Sequence, residues 1–392
     1  MRPCWVEIDA QALEDNFQFL TSLAAGKAEL LAVVKSDAYG HSLELCAPAV
    51  VRAGARWLGV TSVEEGVAAR HLSPAAQVLI MSGCFPGQGP EVVEHRLTPV
   101  AWEAWQLDEL EGAARGAGTQ AGGLPVHLEI DTGMSRQGVD LDGLAGILER
   151  FGPGSALRLE GVLTHLYAAD ETDGLATEAQ RTRLAEAMER IAAAGLRPEW
   201  LSLGASAALL NGEAVSFAAL AGRWGMKAML RPGLALYGLA PEFIPDEPAA
   251  VAAARQHLKP VLSWKTRVVA VRSVPAGAVV GYNGTFVATE PMRLALLPVG
   301  YADGLDRRLG NHFSLLVRGE RAPLVGRISM DLAVLDVTDI GGVIAGDEVV
   351  ILGTQGANSI STFEHAATTG TIPWEVFTRI GARVARRLKA DG

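Results

Sequence analysis

Cysteine is scarce. Cys4, Cys46 and Cys84 are unpaired by spacing and form no C-x-x-C, which argues against a disulfide framework and fits a reducing cytoplasm. The eight histidines are dispersed without H-E-x-x-H or other ligand spacing, so no metal is expected. No stretch approaches the roughly 18 apolar residues of a membrane span. The opening Met-Arg-Pro-Cys-Trp-Val-Glu-Ile-Asp lacks the apolar core of a secretory signal, and the expected location is cytoplasmic with no membrane partner. Basic residues are also outnumbered: a net charge of −10 and a pI near 5.4 exclude a phosphate-backbone partner such as nucleic acid. The one dense basic stretch, Arg379 to Lys389, reads as the solvated side of a terminal amphipathic helix over 374–389. Internal repeats and low-complexity tracts are missing too.

What is present is apolar bulk. With 49% hydrophobic residues in 392, the chain can build two domains around large cores. From about 10 to 240, short aliphatic runs alternate with Ala/Leu/Glu-rich helical stretches, the pattern of a parallel sheet wrapped by helices. Eight runs qualify as strands: 30–35, 57–61, 77–81, 98–101, 125–130, 159–164, 199–204 and 229–236. Eight strands separated by helices predict an α/β fold, a (β/α)8 TIM-type barrel over 9–240. After Pro241 comes a Pro/Ala-rich linker to about 258. Beyond it, short Val-rich runs broken by Gly predict a mainly antiparallel all-β C-terminal domain over 241–392. The strand-like Cys4-Trp-Val-Glu-Ile is assigned to that second domain, as residues 1–8.

Lys35 ends the apolar run Leu30-Leu-Ala-Val-Val, so a buried strand would deliver an amine to low-dielectric surroundings, where it can lose its proton and attack a carbonyl. The structural alternative is a snorkelling lysine at a strand end. Asp131 with Arg136, His165, Ser206 and Arg231 fall near the carboxyl ends of other candidate strands, the face on which such barrels carry their chemistry. Each has a bland alternative: a satisfied core histidine for His165, a helix N-cap for Ser206 and a surface ion pair for Arg231. For Gly233 it is a turn, for Tyr282 a packed strand aromatic and for Asp331 a turn cap.

Seven motifs occur in order: Val34-Lys35-Ser-Asp-Ala-Tyr39-Gly40-His41; Asp131-Thr-Gly-Met-Ser-Arg136-Gln-Gly138; Thr164-His165-Leu-Tyr-Ala-Ala-Asp170; Arg231-Pro-Gly233-Leu-Ala-Leu-Tyr237-Gly238; Gly281-Tyr282; Gly300-Tyr301-Ala-Asp-Gly304; and Gly326-Arg-Ile-Ser-Met330-Asp331. In this set the chain resembles the alanine racemase family through nearly its whole length. The resemblance implies a pyridoxal 5'-phosphate enzyme that interconverts L- and D-alanine, a product suited to bacterial wall synthesis. It implies that Lys35 bonds covalently to the cofactor aldehyde. Tyr39, Ser206 and the amides near Gly233 and Leu234 would bind the phosphate, at the usual phosphate site of the barrel fold. Arg231, which cannot surrender its proton, would face the ring nitrogen and keep it unprotonated, weakening the electron sink and favouring racemisation over transamination. Racemisation needs an acid/base on each face of a planar intermediate, and the resemblance gives Lys35 one face and Tyr282 the other. A free tyrosine titrates near about 10, so it needs help, here through His165 linking Tyr282 to Arg231. Arg136 and the Met330 amide would hold the substrate carboxylate, and Tyr301 would narrow the entrance. A head-to-tail homodimer is implied, in which Tyr282, Tyr301 and Met330 come from the second subunit.

The chain departs from the family pattern at three places. Glu129 stands where a carbamylated lysine is frequent, and its carboxylate is expected to hold Arg136 directly. Ser202-Leu-Gly-Ala205-Ser206 keeps the phosphate serine and loses two polar neighbours. Trp374 replaces the tyrosine that helps bind phosphate and gates the pocket; its indole donates one hydrogen bond and accepts none. Serine or another small amino acid is therefore the alternative substrate. A non-catalytic pyridoxal-phosphate-binding regulatory protein is the alternative from another class, disfavoured by the strand-rich region over 260–352.

Overall fold

A computed structural model describes residues 2–390. Met1, Asp391 and Gly392, counted above with the second domain, lie outside the described residues. The chain divides into two compact units, one of residues 11–38 and 46–259, the other of residues 1–10, 39–45 and 260–392.

Strand β1 (Cys4–Ile8) belongs to the second unit. The first unit is a closed parallel barrel of β2 (Ala28–Val33), β3 (Trp57–Val60), β4 (Gln77–Ile80), β5 (Thr98–Ala101), β6 (Leu124–Glu129), β7 (Leu157–Leu163), β8 (Trp200–Ala205) and β9 (Lys227–Arg231). Its strands are buried along almost their whole length because helices cover the outside and side chains fill the inside, which is why they read as unbroken apolar runs. Trp57, His127 and Trp200 come from non-adjacent strands and meet inside the barrel, with ring centroids 5.8 and 5.9 Å from Trp57. Gly161 on β7 makes room, since a Cβ there would lie 2.5 Å from the His127 ring. The last strand stops at Arg231 instead of running to 236. Pro232 lacks the N–H a ladder needs, and Leu234–Tyr237 forms a short 3-10 turn.

The second unit holds β10 (Leu262–Arg267), β11 (Ala270–Val274), β12 (Val279–Val280), β13 (Phe286–Val287), β14 (Met292–Leu297), β15 (Ser314–Val317), β16 (Glu320–Pro323), β17 (Ala333–Asp336), β18 (Glu348–Gln355), β19 (Asn358–Ile360) and β20 (Ala385–Leu388). The main sheet runs β16-β15-β18-β10-β1-β20, with β11-β14-β17 as a second sheet and β12-β13 as a ribbon. All pairings are antiparallel except β1 with β20. The expected terminal helix is corrected here: helix ends after Pro373–Thr378, and Ala385–Leu388 is a strand in register with Trp5–Ile8. The free edge of β1 offers a ladder of hydrogen bonds, and that tertiary pairing overrides the helical propensity of an Ala/Arg/Leu segment. Nor is the basic stretch a plain solvated face. Arg386 donates to the carbonyls of Gly40, Ile380, Gly381 and Val384, and Arg387 pairs with Glu7 at 2.8 Å.

Candidate active site

Lys35 lies two residues beyond β2 and is half-buried. Its amine titrates below the ordinary lysine value: burial is the main cause, Arg136 adds to it, Glu65 opposes it and Arg231 adds a smaller push. The residues that follow take an uncommon path. Ser36, Asp37, Ala38 and Tyr39 have φ of 54, 52, 55 and 54°, one turn of left-handed helix. That conformation costs roughly 1–2 kcal/mol per non-glycine residue, so a run of four persists only where its surroundings force it. The Ala38 N–H donates to the Val34 carbonyl at 2.9 Å, and the Ser36 N–H donates to Glu65 Oε1 at 2.6 Å. Gly40 continues the turn at φ 76°, where a Cβ would lie 2.5 Å from the Phe377 carbonyl oxygen.

Arg231 closes β9 and is 4% exposed, which removes the surface ion-pair alternative. Its Nη1 donates to Ser202 Oγ at 2.6 Å, and its Nη2 donates to the Thr164 carbonyl at 2.8 Å, the Leu203 carbonyl at 3.2 Å and His165 Nδ1 at 3.1 Å. A guanidinium only donates, so Nδ1 of His165 is the acceptor and the ring proton resides on Nε2. Burial, assisted by the charges of Arg231, Arg136 and Lys35, takes His165 down to about 3, and the ring is neutral near pH 7. Burial also lowers Arg231, to about 10, with Glu129 opposing; it remains a cation. Lys35, Arg136, His165 and Arg231 thus lie in one another's electrostatic field at the carboxyl ends of β2, β6, β7 and β9.

Ser206 does not cap its helix: its Oγ accepts from the Gly233 and Ala235 amides, each at 3.1 Å. Gly233 precedes the 3-10 turn that begins at Leu234. Two backbone N–H groups therefore converge on one hydroxyl between the loops after β8 and β9.

Arg136 is exposed on the loop after β6, a loop shaped by Asp131 Oδ1 accepting from the amides of Gly133 and Ser135 at 2.9 and 3.1 Å. Glu129 is 3% exposed, and its hydrogen bond differs from the expected one. Its carboxylate accepts from Gln137 Nε2 at 2.5 Å, and Arg136 reaches it only as a nearby charge. Gln137 wins because the same Nε2 also donates to the Met81 carbonyl at 3.0 Å, which holds the amide beside the barrel rim. Burial pushes the Glu129 carboxyl above its ordinary value, with Gln137, Arg231 and Arg136 opposing.

The remaining predicted residues lie in the β unit. Tyr282 opens a one-turn 3-10 segment and is 68% exposed, so it is not a packed strand aromatic. Tyr301 and Met330 are exposed on two loops joined by Tyr301 N–H to Ser329 carbonyl and Ala302 N–H to Met330 carbonyl bonds of 3.0 and 3.1 Å. Beneath them Asp303, 1% exposed, accepts from Arg383 Nε at 2.6 Å and the Gly300 amide at 2.8 Å, and pairs with Arg2 at 3.2 Å. Asp331 takes the other arm of Arg383 at 2.8 Å. Tyr39 is buried, which pushes its phenol up to about 12. Trp374 is half-buried on the helix Pro373–Thr378.

Sequence reasoning overlooked Ser202, read as a lost polar neighbour and found holding Arg231. It also passed over Thr164, whose carbonyl does the same and whose Oγ1 pairs with Thr132 at 2.7 Å. Thr164 opens one recognised motif and Ser202 stands four residues before the phosphate serine, and those placements were the available signal. Glu65 and Arg383 carried none.

The description "alanine racemase, N-terminal domain" fits residues 8–241, and "alanine racemase, C-terminal domain" fits residues 261–388. The alanine racemase of Syntrophobacter fumaroxidans is 37% identical over 381 residues, covering 97% of this chain and 96% of that one. Among solved structures, alanine racemase from Streptomyces coelicolor A3(2) superposes with a TM-score of 0.87 at 33% identity, covering 99% of this chain and 98% of the other. The enzyme of Bartonella henselae, with covalently bound pyridoxal phosphate, gives 0.82 at 26% identity over 99% of this chain and 100% of that one. Matched by both domain descriptions and along nearly its whole length, the chain belongs to the alanine racemase family.

Proposed function

We propose that the chain interconverts L- and D-alanine using pyridoxal 5'-phosphate bound through Lys35, with Lys35 and Tyr282 moving the Cα proton on opposite faces. The observation that carries this reading is the half-buried Lys35 amine, held below its ordinary pKa by burial and by Arg136 and Arg231. An amine of that kind is available as a nucleophile and later as a base.

The residues present fit the cofactor. The Ser206 hydroxyl, oriented by accepting from the Gly233 and Ala235 amides, has its own O–H to donate to a phosphate oxygen, on the loops where this fold binds phosphate. Leu234, Tyr39 and Trp374 are assigned to the same group. Arg231 is a fixed donor for the ring nitrogen, immobilised by Ser202, Thr164 and Leu203. When bound, pyridoxal phosphate supplies an electron-withdrawing ring that acidifies the Cα–H of the amino acid.

Lys35 takes or returns the proton on one face. Tyr282, exposed on its own unit, comes from the partner subunit of a homodimer and serves the other, with Tyr301 and Met330 at the entrance. The neutral His165, its proton on Nε2, can donate to the Tyr282 oxygen while Arg231 holds Nδ1, so the phenolate is stabilised without a second mobile proton. Arg136 and the Met330 amide take the substrate carboxylate. A positioned acid/base of this type contributes about 10²–10⁴ in rate.

The test is optical. Purified holoenzyme is incubated with each enantiomer of alanine, and of serine, and the decay of rotation is followed. Racemisation of alanine that Tyr282→Phe reduces by about 10³-fold, with the cofactor still bound, supports the reading. A yellow preparation that leaves both enantiomers intact would overturn it.

A further inference from the structure

The left-handed turn after Lys35 needs something to hold it, and a side chain outside the assigned machinery does so. Glu65 lies on the helix Val63–Leu72, directly after β3, at the barrel end where β2 delivers Lys35. Its two carboxylate oxygens work in different directions. Oε2 accepts from the Thr61 N–H at 3.0 Å and the Thr61 Oγ1 at 3.2 Å, anchoring the side chain to the loop that leaves β3. Oε1 accepts from the Ser36 N–H at 2.6 Å, the first amide of the left-handed run. The helix itself does not need this arrangement, because the Glu65 N–H is already capped by Ser62 Oγ at 3.2 Å.

We propose that Glu65 is a positioning residue for Lys35: its carboxylate ties the turn Ser36–Tyr39 to the neighbouring strand's loop and so fixes the point from which Lys35 presents its amine. The inference rests on the assignment of Lys35 to the reaction. Without the Ser36 tether, the backbone next to Lys35 is free to relax toward right-handed or extended conformations that L-residues prefer. The amine would then sample positions about 1 Å or more from the productive one, and errors of that size are worth around 10²-fold in rate.

The charge of Glu65 has a second consequence. The groups facing Lys35 are Glu65 after β3, Arg136 after β6, the neutral His165 after β7 and Arg231 at the end of β9. Arg136 and Arg231 push that amine's pKa down, and Glu65, an anion, pushes it up.

Three variants test this: Glu65→Ala removes tether and charge, Glu65→Gln removes the charge while leaving one oxygen for Ser36, and Ser62→Ala removes the cap of the same helix without touching the turn. The first readout is the pH dependence of Lys35 acylation by an amine-selective reagent, followed by peptide mass spectrometry on the full chain freed of cofactor. The second is kcat and KM of the holoenzyme. Glu65→Gln should move the Lys35 labelling midpoint down by about one pH unit. Glu65→Ala should do the same and lower kcat by roughly 10- to 100-fold with KM little changed. Ser62→Ala should lower the melting temperature and leave both readouts alone. If Glu65→Ala and Glu65→Gln keep the wild-type labelling curve and kcat, or if Ser62→Ala reproduces their changes, Glu65 is only a helix-end residue and the proposal fails. Should Glu65→Ala not fold, the Glu65→Gln labelling curve decides. A wild type that racemises nothing would end the functional reading, while the labelling comparison would still report on the tether.

Discussion

The barrel unit sets Lys35, Arg136 and Arg231 close to one another at one end and buries Arg231 there, whereas the β unit exposes aromatic and apolar groups over the buried Asp303. At the barrel's end, Arg231 is 4% exposed, Lys35 is half-buried, and the histidine between their charges stays neutral. In the β unit, Tyr282, Tyr301 and Met330 are exposed at 68, 43 and 54%, and the buried charge beneath them is Asp303, held by Arg383 and Arg2. The difference indicates a division of labour. A low-dielectric barrel rim can preorganise charge and shift pKa values. Loops clasped from below by ion pairs can present side chains to another surface without supplying the field.

The sharpest way to break the comparison is to remove the barrel's amine. Lys35→Ala should lower racemisation by at least about 10⁴-fold and abolish covalent attachment of the cofactor, with no change in how the β unit folds. Activity within tenfold of wild type would move the chemistry elsewhere. Next in size, Arg231→Lys keeps the charge and loses the planar fork that spans Ser202, Thr164 and Leu203. We expect roughly 10²-fold lower kcat with the cofactor retained. An unchanged kcat would show that charge alone suffices at that position.

On the β side the corresponding change is Asp303→Asn. A neutral amide cannot balance Arg383 and Arg2 together, and its NH2 faces donors, so the unit should lose about 3 kcal/mol of stability, read as a lower melting temperature. Because the 300–304 and 329–331 loops share this carboxylate and its partners, the loss should come with reduced activity in proportion to loop order. A fully stable Asp303→Asn would mean the clasp is decoration on loops already fixed by their backbone bonds.

Much of this division was legible beforehand. Parallel strands buried on both faces announce themselves as aliphatic runs, and the polar residues just past them had to share one face, so Lys35, Arg136, His165, Ser206 and Arg231 could be grouped from order alone. What could not be read depended on partners remote in sequence. The left-handed turn at Ser36–Tyr39 has no glycine to signal it before Gly40, and its tether, Glu65, lies 29 residues on. Glu129 was expected to hold Arg136, but Gln137, two residues past a turn set by Asp131, takes that place. The segment Ala385–Leu388 carries the helical propensity of its Ala/Arg/Leu composition, and the free edge of β1 overrides it. Local pattern fixes elements. Pairings across tens or hundreds of residues fix the exceptions.

The smallest expected effect sets one histidine of each unit against the other. His165 in the barrel and His365 in the β unit are both buried and held neutral, at about 3 and about 4, burial being the first cause in each. His365 Nε2 bonds the Ile351 carbonyl at 3.0 Å, and its ring meets Phe313 edge-on at 4.6 Å. An unfolded histidine takes up a proton below about 6.5, and these folded ones refuse it until much lower. Over that interval the unfolded chain binds more protons, so each histidine's contribution is intact above 6.5 and is lost as pH falls toward its folded value. At pH 5 the loss for each is roughly 1–2 kcal/mol. Glu7, held near 2 against its burial by hydrogen bonds from Arg387, Lys265 and Trp5, loses its own contribution below about 4.5, so between pH 6.5 and 4.5 the falling stability comes from the histidines, while Glu129, raised by burial, acts in the opposite sense and makes the variants' difference from wild type the quantity to read. His365→Gln should flatten that acid slope for the β unit and leave activity near wild type, while His165→Gln should flatten it for the barrel and cost activity as well. If His365→Gln keeps the wild-type slope, the acid sensitivity belongs to the barrel site, and the two units differ more deeply than in the placement of their charges.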